Sequence, residues 1–379
     1  MTGPLLPGST IGVVGGGQLG RMLAQVAHQL GYRVAVLTGG AKDTPAGSVA
    51  EIEIAAAFDD DTGIQRFLAE VDVVTWEFEN VDSSLAAGAA QAGVPVRPSG
   101  AIIADAQDRE REKRALTAAG VAVAPWRPAS SAVELAAAVD DLGLPVIAKA
   151  ARFGYDGKGQ VRIGDRGEID AAWDALGGDR LVVEAVIPFE RELSVVVARG
   201  HDGEIVDHGV MENHHVDHIL DTTCVPAEIS TERTGAARRL AHRVAEAWDL
   251  IGVMCVEIFD TGTDLLVNEV APRPHNSGHC TIEAAPASQF EQQLRAVCGL
   301  PLGDGACRPA AMVQLLGDLW AEGEPDWTAA LDDPSIHLHL YGKAEPRPSR
   351  KMGHLTCVGD NAADALQRVI DARIALTGR

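Results

Sequence analysis

The sequence predicts a mixed α/β and α+β chain in three parts, opening on a parallel sheet, and three observations predict it. Apolar β-rich runs alternate with Ala-rich helical stretches through the first hundred residues, which is the order of βαβ units. Near residue 109 this gives way to a strand, helix, strand, loop, strand run. From about residue 191 long apolar runs follow, with one long amphipathic helix between them, as in a larger sheet. A length of 379 residues accommodates this, at roughly 150 residues per domain.

The elements follow in order. "TIGVV", "QLGRMLAQVAHQLG", "RVAVLT" and "VDVVTWE" before "SSLAAGAAQAG" read as strand, helix, strand, strand and helix. Pro98-Ser99-Gly100 marks a boundary, and the charged run through "DREREKRALTAAG" reads as one helix with an exposed face. The first part is therefore placed at 1–108. "VAVAPW", "SSAVELAAAVDDLG", "PVIAKAA", "RFGYDGKGQ" and "VRI" make a smaller α+β unit that ends near "LVVEAVIPFE", placed at 109–190. The third part, 191–379, holds "ELSVVVARG", "EIVDHGVMENHHV", "GVMCVEIFD" and "DLLVNEVAP" as strands of one sheet, with "TERTGAARRLAHRVAEAWDLIG" as the helix between them. "IHLHLYGK", "HLTCVGD" and a closing helix complete it.

Composition narrows the function classes. A formal charge of −22 argues against a broad nucleic-acid or anionic-membrane surface, so any anion must be caught by a local basic cluster. No apolar run approaches the roughly 18 uncharged residues that span a bilayer, and "MTGPLLPGST" has neither a basic start nor a signal-type apolar core; a cytoplasmic location is expected. The six cysteines fall singly, which points to buried thiols rather than to a disulfide framework or a zinc knuckle.

Three constellations carry chemistry. In "TIGVVGGGQLGRM", Gly15, Gly17 and Gly20 match the G-x-G-x-x-G spacing of a turn that brings backbone N–H groups and a helix N-terminus to a phosphate. A dinucleotide site also needs an acid at the end of the second strand, where this chain has Thr38 and two glycines. A phosphate site without a dinucleotide is favoured over a dinucleotide site and over a purely structural turn. The second is "KAARFGYDGKGQ", where a strand bearing Lys149 runs into a glycine-rich loop with Lys158, suited to triphosphate oxygens though not a Walker loop. A flexible hairpin with incidental lysines is its plainer reading. The third pairs "VEIF" with "LLVNEVAPRPHNSGH": Glu257, Glu269 and Asn268 offer hard oxygen ligands of the kind Mg²⁺ takes beside nucleotide phosphates. Arg273, His275 and Asn276 follow at once as donors for a transferring phosphoryl group. His214, His215 and His218 lack the spacing of a transition-metal site, and His215 is read as a ligand contact or a packed residue.

The order of the glycine turn, "KAARFGYDGKGQ", "ELSVVV", "VNEVAPRPHNSGH" and "LYGK…RKMGH" resembles the 5-(carboxyamino)imidazole ribonucleotide synthase family of purine biosynthesis, over nearly the whole chain. The resemblance implies a three-domain ATP-grasp fold with an N-terminal Rossmann-like parallel sheet, a small central lid domain and a C-terminal domain with a β-rich end. It implies that bicarbonate attacks the γ-phosphate of ATP and that the exocyclic amine of 5-aminoimidazole ribonucleotide captures the activated carboxyl, or the CO₂ released from it. Carboxyphosphate must be shielded from water, which the central domain would do by closing. ATP, Mg²⁺ with Mn²⁺ as a possible substitute, and a homodimer are implied as well.

By the same resemblance, Arg109, Lys149 and the loop Gly154, Tyr155, Asp156, Gly157, Lys158, Gly159 and Gln160 cover the ATP phosphates. Glu184, Ala185, Val186 and Ile187 form the adenine-binding hinge strand, Glu192 holds the ribose hydroxyls, and His215 is a further nucleotide contact. Glu257, Glu269 and Asn268 bind the metal, while Arg273, His275 and Asn276 hold bicarbonate and carboxyphosphate. Gly15, Gly16, Gly17, Gln18, Leu19, Glu77, Tyr155, Asp156, Lys343 and Arg350 meet the ribonucleotide; Lys343 and Arg350 suit its phosphate, and Asp156 would orient the amine or move its proton. The chain departs from the family pattern at Phe153, where Gly is usual, and in "VDHILDTTCVPA", where His218, Thr223 and Cys224 replace the usual residues.

Three other readings compete. An NAD-dependent oxidoreductase fails on Thr38. Another ATP-grasp ligase, such as a formate-using glycinamide ribonucleotide transformylase, differs in requiring formate instead of bicarbonate. A non-catalytic nucleotide sensor would not need Glu257, Glu269, Arg273 and His275 together.

Overall fold

Strand β1 (Thr10–Val14) is buried throughout and pairs in parallel on one side with β2 (Arg33–Leu37) and on the other with β4 (Val73–Trp76). With β3 (Ile52–Ile54) beyond β2 these make a four-stranded parallel sheet of order β3-β2-β1-β4. The computed structural model describes residues 3–152 and 159–377. A second four-stranded sheet, order β5-β8-β6-β7, is antiparallel and contains β5 (Trp126–Ala129), β6 (Val146–Ala150), β7 (Gln160–Ile163) and β8 (Leu181–Ala185). The helices Ala132–Leu142 and Ile169–Ala175 cover it, with Leu135, Val139 and Ile169 packed on Val146, Ile163 and Val183.

The third sheet has eight strands: β9 (Arg191–Arg199), β10 (Ile205–Val216), β11 (Ile219–Val225), β12 (Gly252–Asp260), β13 (Leu265–Ala271), β14 (Ala310–Leu316), β15 (Ile336–Leu340) and β16 (Lys351–Val358). Its order is β13-β12-β9-β10-β11-β14-β16-β15, antiparallel throughout. Strand β9 explains its apolar run by period-two alternation with both faces buried. Val195 and Val197 pack towards the helix Thr231–Ala247, and Val196 and Ala198 towards the opposite core with Met211 and Cys255. The closing helix Ala362–Ala375 covers β14 and β16 through Ala365, Val369 and Ala372.

The structure differs from the sequence reading in three places. The charged run after Gly100 forms two helices, Gly100–Ala106 and Arg109–Ala118, because Asp108 caps the second by accepting from Glu110 N and Arg111 N. Its expected exposed face is not wholly exposed: Glu112 and Lys113 are buried at 2% and 0% exposure. The "VAVAPW" stretch enters its sheet only at Trp126; Val123 instead makes a parallel bridge to Val267 of the third sheet. Four cysteines are buried and two half-buried. No described helix is long and apolar enough to cross a membrane.

One core joins the first and third parts. Phe290, Leu294 and Val297 of the helix Gln289–Cys298 pack with Ile11, Leu23 and Val34. In the same seam the buried Gln293 amide donates to Thr75 Oγ1 at 2.6 Å and accepts from Val253 N at 2.5 Å.

Candidate active site

The helix Arg109–Ala118 holds β13 at three consecutive residues. Arg109 Nη1 donates to Glu269 Oε2 at 3.1 Å, Glu112 Oε1 accepts from Val270 N at 2.7 Å, and Lys113 Nζ donates to Asn268 O at 2.6 Å. Positions i, i+3 and i+4 lie on one helix face, so a single face aims three charged side chains at one strand. Lys113 also lies 3.7 Å from Glu184, whose other oxygen accepts from Lys149 Nζ at 3.0 Å. Burial opposes ionisation of Glu184, but Lys113, Lys149 and Arg109 outweigh it and hold its pKa at about 2. Burial dominates at Glu112 and raises its pKa to about 7 against the pull of Lys113.

A bulge builds the pair of acids. The β12–β13 register runs from Val256 opposite Val270 to Ile258 opposite Val267, so Glu257 stands opposite both Asn268 and Glu269. Consecutive strand residues ordinarily face opposite ways; the extra residue re-aims one of them, and Glu257, Asn268 and Glu269 all line one cavity of about 650 Å³. Asn268 Oδ1 is buried without a hydrogen-bond partner among the described residues, an acceptor left over between two carboxylates. These three oxygen donors fit a hard divalent cation.

His275 stands against that group. Its Nε2 lies 3.0 Å from Glu257 Oε1, and its Nδ1 lies 2.9 Å from Ser277 Oγ and accepts from Ser277 N at 3.3 Å. The Glu257 carboxylate accepts from Nε2–H, so a ring proton sits on the edge that faces the cavity. The Ser277 hydroxyl is fixed in turn by a buried chain: Thr223 Oγ1 donates to Asn213 Oδ1, Asn213 to Ser194 Oγ, and Ser194 to Ser277 Oγ, each at 2.9 Å.

The glycine turn lies beside this site. Gln18 Nε2 donates to Asn276 Oδ1 at 3.4 Å, and Glu77 accepts from Gly17 N at 3.2 Å. A Cβ on Gly15 would come within 2.1 Å of the Glu77 carboxylate, and one on Gly17 within 2.3 Å, so this approach of acid to turn demands glycine; Gly15 also has φ +114°. Burial outweighs the Gly17 N–H and the Arg273 charge and raises the Glu77 carboxyl above the usual carboxylate range. An acid therefore already takes an N–H that the sequence reading reserved for a phosphate.

Of the predicted residues, Arg109, Lys149, Gln160, Glu192 and His215 line the cavity with Glu257, Asn268, Glu269, Arg273, His275 and Asn276. Glu192 accepts from His215 Nδ1–H at 2.9 Å, and against burial its hydrogen bond and charge raise the pKa of the ring. Glu184, Ala185, Val186 and Ile187, Gly159, Gly15 to Leu19, Glu77, Lys343 and Arg350 are not in that lining, although Lys351 is. Lys343 Nζ donates to Lys351 O at 2.7 Å and Arg350 Nη1 to Glu345 O at 2.8 Å. Gly154, Tyr155, Asp156, Gly157 and Lys158 lie outside the described residues, as does Phe153.

Family models match in chain order: a ribonucleotide synthetase preATP-grasp domain at 8–107, an ATP-grasp domain at 114–290 and a phosphoribosylaminoimidazole carboxylase C-terminal domain at 310–368. The chain is 40% identical to N5-carboxyaminoimidazole ribonucleotide synthase of Bacillus subtilis, covering 96% of this chain and 95% of that one. It is 45% identical to the Brucella melitensis enzyme of the same name, over 93% and 97%. The chain belongs to the N5-carboxyaminoimidazole ribonucleotide synthase family. Among solved members, an ADP complex superposes with a TM-score of 0.92 at 39% identity, covering 99% of this chain and 98% of that one. The Aspergillus clavatus synthase in complex with ADP and 5-aminoimidazole ribonucleotide gives 0.88 at 31%, over 97% and 98%. The ATP-grasp fold is thus established, with the parallel sheet at its N-terminal end.

Within this synthase family, the departures around 216–226 have a physical reading. Val216 pairs with Ile219, so Asp217 and His218 form a two-residue hairpin turn with φ of 49° and 66°. Both positions are left-handed, the conformation that a Gly at 218 adopts freely and His adopts at a cost of roughly 1–2 kcal/mol. Thr223 in place of the usual Ser keeps the hydroxyl that starts the buried chain. Sequence reasoning missed Glu112 and Lys113. Their i+3 and i+4 spacing from Arg109 was the available signal, and it was read as a solvated face.

Proposed function

We propose that this chain carboxylates the exocyclic amine of 5-aminoimidazole ribonucleotide, driven by ATP and bicarbonate. A bicarbonate oxygen bonds to the γ-phosphorus as ADP leaves. The amine nitrogen then bonds to the carboxyl carbon as inorganic phosphate leaves and the amine gives up a proton, giving N5-carboxyaminoimidazole ribonucleotide. The observation that carries this reading is the single cavity that gathers Arg109, Lys149, Glu257, Glu269, Arg273 and His275 in a member of this family. The formate-dependent alternative is the less favoured one, because near-full-length similarity is to the bicarbonate-type synthases.

The residues take these roles in the proposal. Arg109 and Lys149 neutralise ATP phosphates, to which Gly159, Gln160 and the loop Gly154 to Lys158 are also assigned; Glu184 to Ile187 present the adenine-binding backbone, and Glu192 and His215 meet the ribose. Glu257, Glu269 and Asn268 hold Mg²⁺, or Mn²⁺ in its place; a divalent cation there supplies charge that offsets the triphosphate. Arg273, the Nε2–H of His275 and Asn276 hold the bicarbonate oxyanion. Lys343 and Arg350 take the phosphate of the ribonucleotide, and Gly15, Gly16, Gly17, Gln18 and Leu19 with Glu77 face the rest of it. That division respects the carboxyl already in the turn, which would repel a phosphate. Tyr155 and Asp156 reach the aminoimidazole. Parts 1–108, 109–190 and 191–379, a cytoplasmic homodimer and closure of the middle part over ATP complete the reading; sedimentation velocity that finds only monomer would remove the dimer.

Phosphate release, measured with bicarbonate, ribonucleotide and Mg²⁺ each omitted in turn, tests it. Full turnover is expected only with all present, and Glu269→Gln should lower kcat at least a hundredfold. Formate-dependent release without a bicarbonate requirement would overturn the proposal.

A further inference from the structure

Arg273 is held by a residue that no motif singled out. Glu79, in the loop after β4, takes the Nε–H of Arg273 and an Nη2–H, the second at 2.9 Å, while the Pro274 carbonyl takes an Nη1–H at 3.2 Å. A guanidinium has five N–H donors, so two remain without a partner among the described residues, one on each terminal nitrogen. Both side chains line the cavity. The Glu79 loop is itself fixed: the Gln107 side-chain amide donates to the carbonyls of Glu79 and Val81, and its oxygen accepts from Arg152 at 3.0 Å. Burial opposes ionisation of Glu79, but Arg273 outweighs it and keeps the carboxyl below the usual range.

We propose that Glu79 is a positioning residue that sets the plane of the Arg273 guanidinium, so that its two remaining N–H groups meet the oxyanion of bicarbonate and then of carboxyphosphate. This rests on the reading of Arg273 given above. A free arginine side chain loses rotamer entropy when it is ordered, and a two-point carboxylate clamp removes that loss from the binding step. Because Glu79 comes from the first part and Arg273 from the third, the oxyanion ligand is oriented by the unit that also carries Glu77 and the glycine turn.

Glu79→Gln keeps the side-chain shape and loses the two-point acceptor, and Glu79→Asp keeps the charge with a shorter reach. Steady-state phosphate release is measured with ATP, bicarbonate and ribonucleotide varied separately, alongside the thermal midpoint. Phosphonoformate, a carboxylate bonded directly to phosphorus, is titrated calorimetrically onto the ADP-bound protein as an unreactive probe. In Glu79→Gln, kcat/KM for bicarbonate and phosphonoformate affinity should each fall at least tenfold, with KM for ATP unchanged within twofold and partial recovery in Glu79→Asp. Unchanged bicarbonate constants overturn the proposal; so does tighter bicarbonate binding, which would make Glu79 a competitor for the guanidinium, and so does a parallel loss for all three substrates that tracks a lowered midpoint. If Glu79→Gln does not fold, the same substrate split in Glu79→Asp decides. A parent protein that releases phosphate without bicarbonate overturns the underlying function instead.

Discussion

Single side chains in this protein are set by what they accept as much as by what they donate. His275 shows it at the site: the Glu257 carboxylate, 3.0 Å away, keeps a proton on Nε2, and no residue spacing carries that information. Asp207 shows it away from the site. Its side chain is 1% exposed and accepts from Arg238 Nε at 2.9 Å and Gly209 N at 2.9 Å, with His242 Nε2 at 2.6 Å. Burial opposes its ionisation, but His242, Gly209 and Arg238 outweigh burial and hold its pKa at about 2. A depressed carboxyl contributes stability above its unfolded pKa of about 3.9, and that contribution is lost as pH falls towards about 2. Urea midpoints measured from pH 7 to 2.5 should therefore drop less steeply below pH 4 in Asp207→Asn than in the parent; identical acid limbs would refute this.

At the scale of an element, the helix Arg109–Ala118 does more than link two parts. Through Arg109, Glu112 and Lys113 it holds the strand that carries Asn268 and Glu269, and through Lys113 it touches Glu184 of the second sheet. Removing one partner of a buried ion pair costs roughly 3–5 kcal/mol because the other charge stays behind. Lys149 still faces Glu184, so Lys113→Met should fall near the low end of that range and should also raise KM for ATP. A urea midpoint and an ATP KM equal to the parent's would show that the helix is only a connector. The bulge opposite Glu257 is the second device at this scale: without it, Asn268 and Glu269 would face opposite sides of the sheet.

At the scale of the whole molecule, the seam between the first and third parts is the feature most dependent on long-range packing. Gln293 satisfies Thr75 and the Val253 amide across it, inside a core that both parts share. Gln293→Leu leaves the Val253 N–H buried and without its acceptor and should lower stability by about 1–3 kcal/mol. Differential scanning calorimetry checks it, and a melting profile superposable on the parent's would remove the assignment.

The chain's own order of residues determined the alternation that makes a parallel sheet first and a large antiparallel sheet last, because periods of 2 and 3.6 are local properties. It also determined which acids and donors arrive together at the cavity, since "VNEVAPRPHNSGH" presents them consecutively. Only the tertiary structure decided which face Asn268 and Glu269 share, that Glu112 and Lys113 are buried, that a carboxylate fills the glycine turn, and that Glu79 holds Arg273. The first depends on the register with nearby Glu257, and for the other three the physical reason is the same. Burial and hydrogen-bond partners come from residues 60 to 194 positions away, and no local pattern encodes which distant group will arrive.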